Sequence, residues 1–201
     1  MVPQEEQKPP VLRLASASPR RSQLLGMIGV PHVVTPADID ETPLARERGA
    51  DYVGRLARAK GAAIRGRHAD LPVLAADTTV CVDDAILEKP VDAADCVRML
   101  TLLSGRAHQV YTGVCVIGAE PLVAVVGTEV VFRKIAREEM QAYWASGEPA
   151  GKAGAYAIQG FGAVFVENIA GSYTNVMGLP LFESAALLRR AGVPVWSGAL
   201  V

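Results

Sequence analysis

The hydrophobic pattern of residues 12–28 predicts a short strand that leads directly into a helix. Apolar residues from Leu12 are followed by the polar turn 16–18. After the turn, apolar residues recur at helical spacing: Leu24, Leu25 and Ile28. Ser18 is a favourable N-cap residue and Pro19 suits the first helical position, so we expect the helix to begin directly after the turn.

The rest of the chain alternates unevenly between strand-like and helix-like patterns, and no segment repeats. Helices are predicted at about 50–67, 92–104, 137–146 and 179–190. Strands are predicted at about 31–35, 72–82, 109–117, 122–135 and 163–169, with Asp83-Asp84 as a turn into a short strand that ends at 88–90. The segment 151–162 contains too much glycine for the interior of a regular helix or strand. This pattern favours an α/β fold in which helices flank a mixed central β-sheet.

Composition limits the kinds of partner that the chain can bind. It has 201 residues, of which 50% are hydrophobic, so we expect one folded domain over residues 11–201 after a loose tail at 1–10. Twenty basic and twenty-one acidic side chains give a net charge of −1, which provides no general attraction for nucleic acid or anionic lipid. We therefore expect neither nucleic acid nor a membrane as a partner, and any attraction for phosphate must be local.

Two further features favour a cytoplasmic protein. The chain begins without a signal-peptide pattern, and no apolar run approaches the roughly 20 residues that a membrane-spanning helix needs. Cys81, Cys96 and Cys115 are an odd number of cysteines with no C-x-x-C pair, and each lies in an apolar pattern. We expect them to be buried, reduced thiols.

Arg20 and Arg21 conflict with their position in the first turn of the first predicted helix. A helix N-terminus already presents free N–H groups and the positive end of the dipole, so Asp or Glu is preferred there. Two cations should repel this helix end unless an anion joins them. With the hydroxyls of Ser16 and Ser18 nearby, the pattern predicts a phosphate site, and the alternative is a pair of arginines exposed to solvent.

Two charged residues lie inside apolar patterns. Lys60 falls on the apolar stripe of the second predicted helix, so it either snorkels at the edge of the core or points into a pocket. Asp77 interrupts the predicted strand 72–82, where a lone buried carboxylate would be costly. Asp77 therefore needs a cation, a metal or an accessible strand end, and a purely structural ion pair with Lys60 is the alternative.

The polar residues that conflict with their surroundings together suit a polyphosphate ligand. They are Ser16, Ser18, Arg20, Arg21, Glu41, Lys60, Asp77, Lys89, Lys152 and Gln159. Carboxylates can hold a divalent metal that bridges phosphate oxygens, while lysines and arginines neutralise the remaining charge. Neither G-x-x-x-x-G-K-[ST] nor G-x-G-x-x-G is present, so the phosphate site must be of another kind.

Six motifs resemble, in order, the signature of the Maf family. They are Leu14-Ala-Ser-Ala-Ser-Pro-Arg-Arg21, Ala76-Asp-Thr78, Glu88-Lys-Pro90, Leu103-Ser-Gly105, Lys152-Ala-Gly-Ala-Tyr156 with Ile158-Gln-Gly160, and Val176-Met-Gly-Leu-Pro180. The resemblance covers about 11–190. It implies a fold with a cleft, similar to that of the inosine triphosphatases. It also implies a cytoplasmic homodimer that uses Mg²⁺ or Mn²⁺ to split nucleoside triphosphates between the α and β phosphates.

The resemblance also implies roles for individual residues. Asp77 is the expected proton acceptor and, with Glu41, the expected metal ligand; the neighbouring Asp40 is the alternative to Glu41. The expected phosphate-binding residues are Ser16, Arg21, Lys60 and Lys89, and the chemistry of the local sequence adds Ser18 and Lys152. The residues that resemble the specificity positions of the branch acting on dTTP and UTP are Arg20, Thr78 and Gln159.

Gln159 also has a chemical reason to select the base. A neutral amide both donates and accepts, as the O4 and N3–H edge of thymine or uracil requires, whereas a glutamate would accept from a guanine edge. Two alternatives remain at this stage. One is a pyrophosphatase for 7-methyl-GTP or for inosine and xanthosine triphosphates, and the other is a nucleotide-binding regulator of cell division without essential turnover.

Three positions leave details open. Tyr156 either lies near the base or is an ordinary core residue. Ala59 and Gly151 depart from the family pattern, because many members carry an acidic residue next to the positions of Lys60 and Lys152. These departures concern the orientation of the two lysines and do not affect Asp77.

Overall fold

A computed structural model of the chain describes residues 9–83 and 85–196. The tail predicted at 1–10 lies almost wholly outside the described residues, as does Asp84 of the predicted turn.

Strands and helices alternate along the described chain much as predicted. The strands are β1 (Leu12–Leu14), β2 (His32–Val34), β3 (Val73–Val82), β4 (Ala85–Leu87), β5 (Ala107–Ile117), β6 (Pro121–Phe132) and β7 (Val166–Ala170). The helices are α1 (Pro19–Met27), α2 (Gly49–Arg65), α3 (Ala93–Leu103), α4 (Arg137–Ala145), α5 (Tyr173–Met177) and α6 (Leu181–Arg190). Two short 3₁₀ helices lie at Ala153–Ala155 and Phe161–Phe165.

All seven strands of the described chain form one mixed sheet. Its order is β2-β1-β3-β5-β6-β7, and β4 pairs with β3 beside this path. β1 runs parallel to both β2 and β3, whereas the pairs from β3 to β7 are antiparallel. The predicted fold class, a mixed central sheet with flanking helices, is confirmed.

Helix α2 packs unusually close to the middle of the sheet. A Cβ atom at Gly113 of β5 would collide with the backbone carbonyl of Val53, so glycine is required for the helix backbone to rest on the strand. About two turns further along the helix, a Cβ at Gly61 would lie 3.0 Å from the side chain of Ile117. This close approach brings the inner face of α2 to the strand β3 beside it.

Two buried apolar clusters hold α1, α3, α4 and α6 on the sheet. One cluster joins α3 and α4 to the strands and includes Leu100, Phe132 and Met140. The other joins α1 and α6 to β1 and β3 and includes Leu12, Leu24 and Leu188. The stripe of α1 thus packs inward as the sequence predicts, and the polar start of that helix stays at the edge of the core.

Several predicted boundaries are wrong for local reasons. The strand predicted at 163–169 begins only at Val166, because the glycine-rich segment continues into the 3₁₀ helix Phe161–Phe165. The strand predicted at 122–135 ends at Phe132, next to an irregularity in the pairing with β7. Helix α5 was not predicted, since its five residues are too few for a periodic apolar stripe.

The cysteines fit the sequence analysis. All three cysteines are buried and none forms a disulfide. Burial raises the pKa of both Cys96 and Cys115 to about 11, which keeps these thiols protonated and unreactive. Within 9–83 and 85–196, no helix has both the length and the apolar composition to span a bilayer.

Candidate active site

A cleft of about 620 Å³ collects nearly all of the residues singled out from the sequence. It lies where the turn before α1, the loop before α2, the strand β3 and the glycine-rich segment meet. Its lining includes Ser16, Ser18, Arg20, Arg21, Glu41, Lys60, Asp77, Thr78, Lys89 and Lys152. Gln159 is exposed and is not part of this lining.

Lys60 connects the two carboxylates of the cleft. Its Nζ atom lies 2.6 Å from Oδ1 of Asp77 on β3 and 2.8 Å from Oε1 of Glu41 in the loop before α2. The side chains of Lys60 and Asp77 are each only 9% exposed, whereas that of Glu41 is 39% exposed. Lys60 therefore points into a pocket. The ion pair between Lys60 and Asp77, which the sequence offered as a purely structural alternative, is present. It is part of a charged triad that is open to solvent at Glu41.

The charge of Glu41 is maintained by its cationic surroundings. Burial alone would raise the pKa of Glu41, but the hydrogen bond from Lys60 and the charges of nearby cations lower it overall. The loop is also fixed through its backbone, because the hydroxyl of Tyr52 donates to the carbonyl oxygen of Glu41 at 2.9 Å. Glu41 thus stays ionised and faces the cleft.

The neighbouring Asp40 faces elsewhere. Its side chain is exposed and accepts a hydrogen bond from the backbone N–H of Thr42 at 2.9 Å. Of the two adjacent carboxylates, only Glu41 contacts Lys60 and lines the cleft.

Arg21 is held by three contacts with the protein. Its Nε donates to the carbonyl oxygen of Gly178 at 2.8 Å, Nη1 to Oγ of Ser16 at 3.0 Å, and Nη2 to Oγ1 of Thr78 at 3.1 Å. These bonds use three of the five N–H groups, so two remain for a ligand. Burial lowers the pKa of Arg21, and the negative charge of Asp77 opposes that shift.

The turn before α1 leaves its hydroxyl groups available. Ser18 occupies the N-cap position, but its side chain does not cap the helix. Its backbone N–H instead donates to Oγ of Ser16 at 3.2 Å. Since Ser16 accepts here and from Arg21, its hydroxyl hydrogen points to neither of them and can serve a ligand.

Arg20 and Lys152 form a second cationic group at the glycine-rich side of the cleft. Burial lowers the pKa of Arg20. Burial and then the like charge of Arg20 lower the pKa of Lys152, whose Nζ donates to the carbonyl oxygen of Ala150 at 3.1 Å. Two cations that destabilise each other in this way would be stabilised by a bound anion.

Thr78 is part of a buried hydroxyl chain that the sequence analysis missed. Oγ1 of Thr112 donates to the carbonyl oxygen of Asn175 at 3.0 Å, so it must accept from Thr78 at 2.9 Å. Thr78 in turn accepts from Arg21 and has no hydrogen left to donate to a ligand. A polar residue inside the buried pattern of β5 was the available signal for Thr112, as it was for Asp77 on β3.

Tyr156 belongs to the core and forms part of the cleft wall. It lines the cleft, but it is only 6% exposed and packs edge to face against Phe132. Its hydroxyl lies 2.9 Å from Nε2 of His108, a histidine whose pKa burial lowers to about 4. The ring therefore forms a rigid, uncharged wall of the cleft.

The carboxylates present are suited to a divalent metal that also binds substrate. Among the described residues no group of three or more His, Cys, Asp or Glu side chains could enclose a metal. Glu41 and Asp77 nevertheless both contact the ammonium of Lys60, so their carboxylates lie near each other, and Mg²⁺ is commonly held by one or two carboxylates together with substrate phosphates and water. The donor set fits a metal that arrives with a polyphosphate.

Two bacterial relatives are similar to this chain over most of its length. A dTTP/UTP pyrophosphatase of Myxococcus xanthus is 53% identical over 185 residues, which cover 92% of this chain and 94% of that protein. A dTTP/UTP pyrophosphatase of Sphingopyxis alaskensis is also 53% identical and covers 92% of this chain and 99% of its own.

Solved structures with a related outline are more distant. A nucleoside-triphosphatase, described as a dITP/XTP pyrophosphatase, from Mycobacterium abscessus covers 90% of this chain with 20% identity and a TM-score of 0.42. The Ham1 protein of Staphylococcus aureus covers 77% with 16% identity and a TM-score of 0.41.

The family model described as Maf-like protein matches residues 11–191, a range that contains every residue of the cleft described above. This chain belongs to the Maf family.

Proposed function

We propose that this chain hydrolyses dTTP and UTP to the nucleoside monophosphate and pyrophosphate. The observation that carries the proposal is the Glu41–Lys60–Asp77 triad, which shares one cleft with Arg20, Arg21, Lys89 and Lys152. Carboxylates beside an array of cations suit attack on a triphosphate chain better than binding of any neutral ligand. The two relatives at 53% identity carry the same activity in their names.

In the proposed reaction, Asp77 is the proton acceptor. It takes a proton from a water molecule as the water oxygen bonds to the α-phosphorus, and the bond from that phosphorus to the bridging oxygen breaks. Lys60 holds the carboxylate of Asp77 in place through its 2.6 Å contact. Pyrophosphate leaves with its negative charge stabilised by the cations of the cleft, of which Arg21 is the most rigidly held.

We infer a divalent cation, Mg²⁺ or Mn²⁺, as cofactor at Glu41 and Asp77. Such an ion would supply Lewis-acid polarisation of the phosphate oxygens and neutralise developing charge. The proposal is supported by the lysine ammonium that both carboxylates contact, because it places a positive charge beside them.

Base selection is proposed to depend on Arg20, Thr78 and Gln159. The hydroxyl of Thr78 donates its hydrogen to Thr112, so toward a ligand it can only accept a hydrogen bond. It is therefore a suitable partner for an N–H group of the base. The amide of Gln159 can supply both the donor and the acceptor that the pyrimidine edge requires. This pairing favours thymine and uracil over 7-methylguanine.

We also propose that the protein is a cytoplasmic homodimer. Three buried cysteines without a disulfide suit a reducing compartment. Exposed apolar side chains, among them Phe161, Val164 and Phe182, provide surface that a second copy could cover.

Replacing Asp77 by asparagine tests the catalytic assignment. Because the amide cannot accept the proton, kcat for pyrophosphate release from dTTP should fall about 100- to 10,000-fold. The measurement is pyrophosphate release with Mg²⁺ or Mn²⁺, and Asp51→Asn, on the exposed side of α2, is the matched control. If the wild-type protein binds triphosphates but releases no pyrophosphate from a full panel of them, it is a nucleotide-binding regulator and not an enzyme.

Gln159→Glu tests base selection. The carboxylate loses the N–H donor for O4 of the pyrimidine, so kcat/KM for dTTP should fall about tenfold or more relative to that for 7-methyl-GTP. Initial rates for both nucleotides at one Mg²⁺ concentration give the ratio. An unchanged turnover of dTTP would show that Gln159 does not read the base.

The metal site is tested by comparing two adjacent carboxylates. Glu41→Gln should raise the Mg²⁺ concentration for half-maximal activity at least about tenfold, since it removes a proposed ligand. Asp40→Asn should leave that concentration unchanged, because Asp40 faces solvent and Thr42. Equal effects of the two substitutions, or full activity in excess EDTA, would contradict the proposed site.

Sedimentation velocity tests the oligomeric state. At micromolar concentration, the mass obtained from its sedimentation should be twice the 21.2 kDa of one chain. The mass of a single chain would contradict the homodimer. Recovery of the protein outside the cytoplasmic fraction of its cell would contradict the cytoplasmic location.

A further inference from the structure

Gln159 occupies a tight turn whose backbone decides where its side chain is presented. The N–H of Gly160 donates to the carbonyl oxygen of Ala157 at 3.2 Å, and the 3₁₀ helix Phe161–Phe165 follows at once. The side chain of Gln159 is exposed and has no hydrogen bond to another described residue. Its location relative to the cleft therefore depends on what anchors this turn.

The carboxylate of Glu148 anchors the side of the turn that follows Gln159. Its Oε2 accepts from the backbone N–H of Phe161 at 2.9 Å, and its Oε1 accepts from that of Gly162 at 3.0 Å. The first N–H groups of a helix lack partners within the helix, and Gly160 at the N-cap position has no side chain to provide one. Glu148, from the loop after α4, caps this helix in its place.

Tyr143 anchors the side that precedes Gln159 and connects it to the same carboxylate. Its hydroxyl accepts from the backbone N–H of Ala157 at 3.0 Å and donates to Oε1 of Glu148 at 2.7 Å. Burial, and then the hydrogen bond with Glu148, raises the pKa of Tyr143, so the hydroxyl keeps the hydrogen that it donates. Both sides of the turn are thus tied to one tyrosine–glutamate pair.

Two glycines of this segment, at 160 and 162, are explained by the same pair. A Cβ atom at Gly160 would collide with the carboxylate of Glu148, and a Cβ at Gly162 would lie 2.6 Å from the hydroxyl of Tyr143. Glycine at 160 and 162 leaves room for the two polar groups to reach the backbone. These two glycines are therefore a requirement of this anchoring.

Glu148 also acts on the cations at this side of the cleft. Its negative charge raises the pKa of Arg20 and of Lys152, in opposition to the effect of burial on each. One carboxylate thus influences a second predicted specificity residue and a predicted phosphate ligand, as well as the turn of Gln159.

We propose that Glu148, supported by Tyr143, is a positioning residue for base selection that fixes the turn carrying Gln159 against the cleft. This rests on the proposed function for its substrate, and it adds a residue outside the cleft lining to those that determine specificity. Glu148 itself does not touch the reacting atoms, because its oxygens are occupied by the backbone of the turn and by Tyr143.

Glu148→Gln tests the proposal with little change of shape. The amide retains only one acceptor oxygen, so the turn loses an anchor, and kcat/KM for dTTP should fall about 10- to 100-fold, mainly through KM. The ratio of kcat/KM for dTTP to that for 7-methyl-GTP should fall with it. Glu138→Gln, on an exposed position of α4, is the matched control and should change neither value by more than about twofold.

A double-mutant cycle with Gln159→Ala separates positioning from a general structural effect. If Glu148 acts through Gln159, Glu148→Gln should change the dTTP to 7-methyl-GTP ratio by less than about twofold in the Gln159→Ala background. The same loss of selectivity in both backgrounds would overturn the proposal, as would an unchanged ratio in the single variant.

The cycle is also measured as dTTP affinity by calorimetry in EDTA, where no turnover is needed. A wild-type protein that binds dTTP but releases no pyrophosphate when Mg²⁺ or Mn²⁺ is supplied refutes the proposed function. The coupling between positions 148 and 159, measured as the change in Kd for dTTP, then tests the positioning role separately. Coupled losses support it and additive losses overturn it. If Glu148→Gln fails to fold, as judged by its thermal unfolding, Tyr143→Phe removes the hydroxyl and should give the same coupling to Gln159.

Discussion

The buried ammonium group of Lys60 is the interaction on which the cleft depends. A charge removed from water is costly, and removing one partner from a buried pair typically destabilises a protein by about 3–5 kcal/mol. Here the ammonium lies between Asp77 and Glu41, so each charge of the triad has a partner. The triad is open to solvent at Glu41, where the charges of Lys89 and Arg21 act on the same carboxylate.

The triad exists because α2 approaches the sheet so closely. Gly113 allows the backbone of α2 at Val53 to rest on β5, and the same face of the helix then places Lys60 against β3. A larger residue at 113 would move the helix outward and lengthen the contact with Asp77. The distance between Lys60 and Asp77 thus depends on the absence of a side chain at Gly113 of β5.

The cations of the cleft differ in how firmly they are held. Arg21 is fixed by three hydrogen bonds and belongs to the wall, whereas Lys89 is exposed at the rim. Burial lowers the pKa of both Arg20 and Lys152, and the negative charge of Glu148 opposes that shift. A rigid inner end and a more adaptable outer end suit a ligand whose charge is spread along a flexible chain.

The sequence by itself determined which residues are chemically out of place, and most of these meet in one cleft. Lys60 on an apolar stripe, Asp77 in a buried strand and two arginines at a helix start are conflicts of local pattern, and local pattern is readable from sequence. The mixed sheet and the longer helices followed from periodicity in the same way. The six motifs in their order gave the resemblance to the Maf family, and that resemblance implied the reaction.

Only the tertiary structure decided the contacts between distant segments. The choice of Glu41 over Asp40 depends on how one loop turns toward α2, and both carboxylates have the same chemistry in sequence. Thr78 contacts Thr112, and Glu148 anchors the turn that carries Gln159. Both contacts join residues from different segments, so the periodicity of neither segment predicts them. The short α5 and the 3₁₀ helix Phe161–Phe165 were missed because five residues are too few for a periodic apolar stripe. Each is also held by a tertiary contact, from Asn175 to the carbonyl oxygen of Val110 and from Glu148 to the backbone of Phe161.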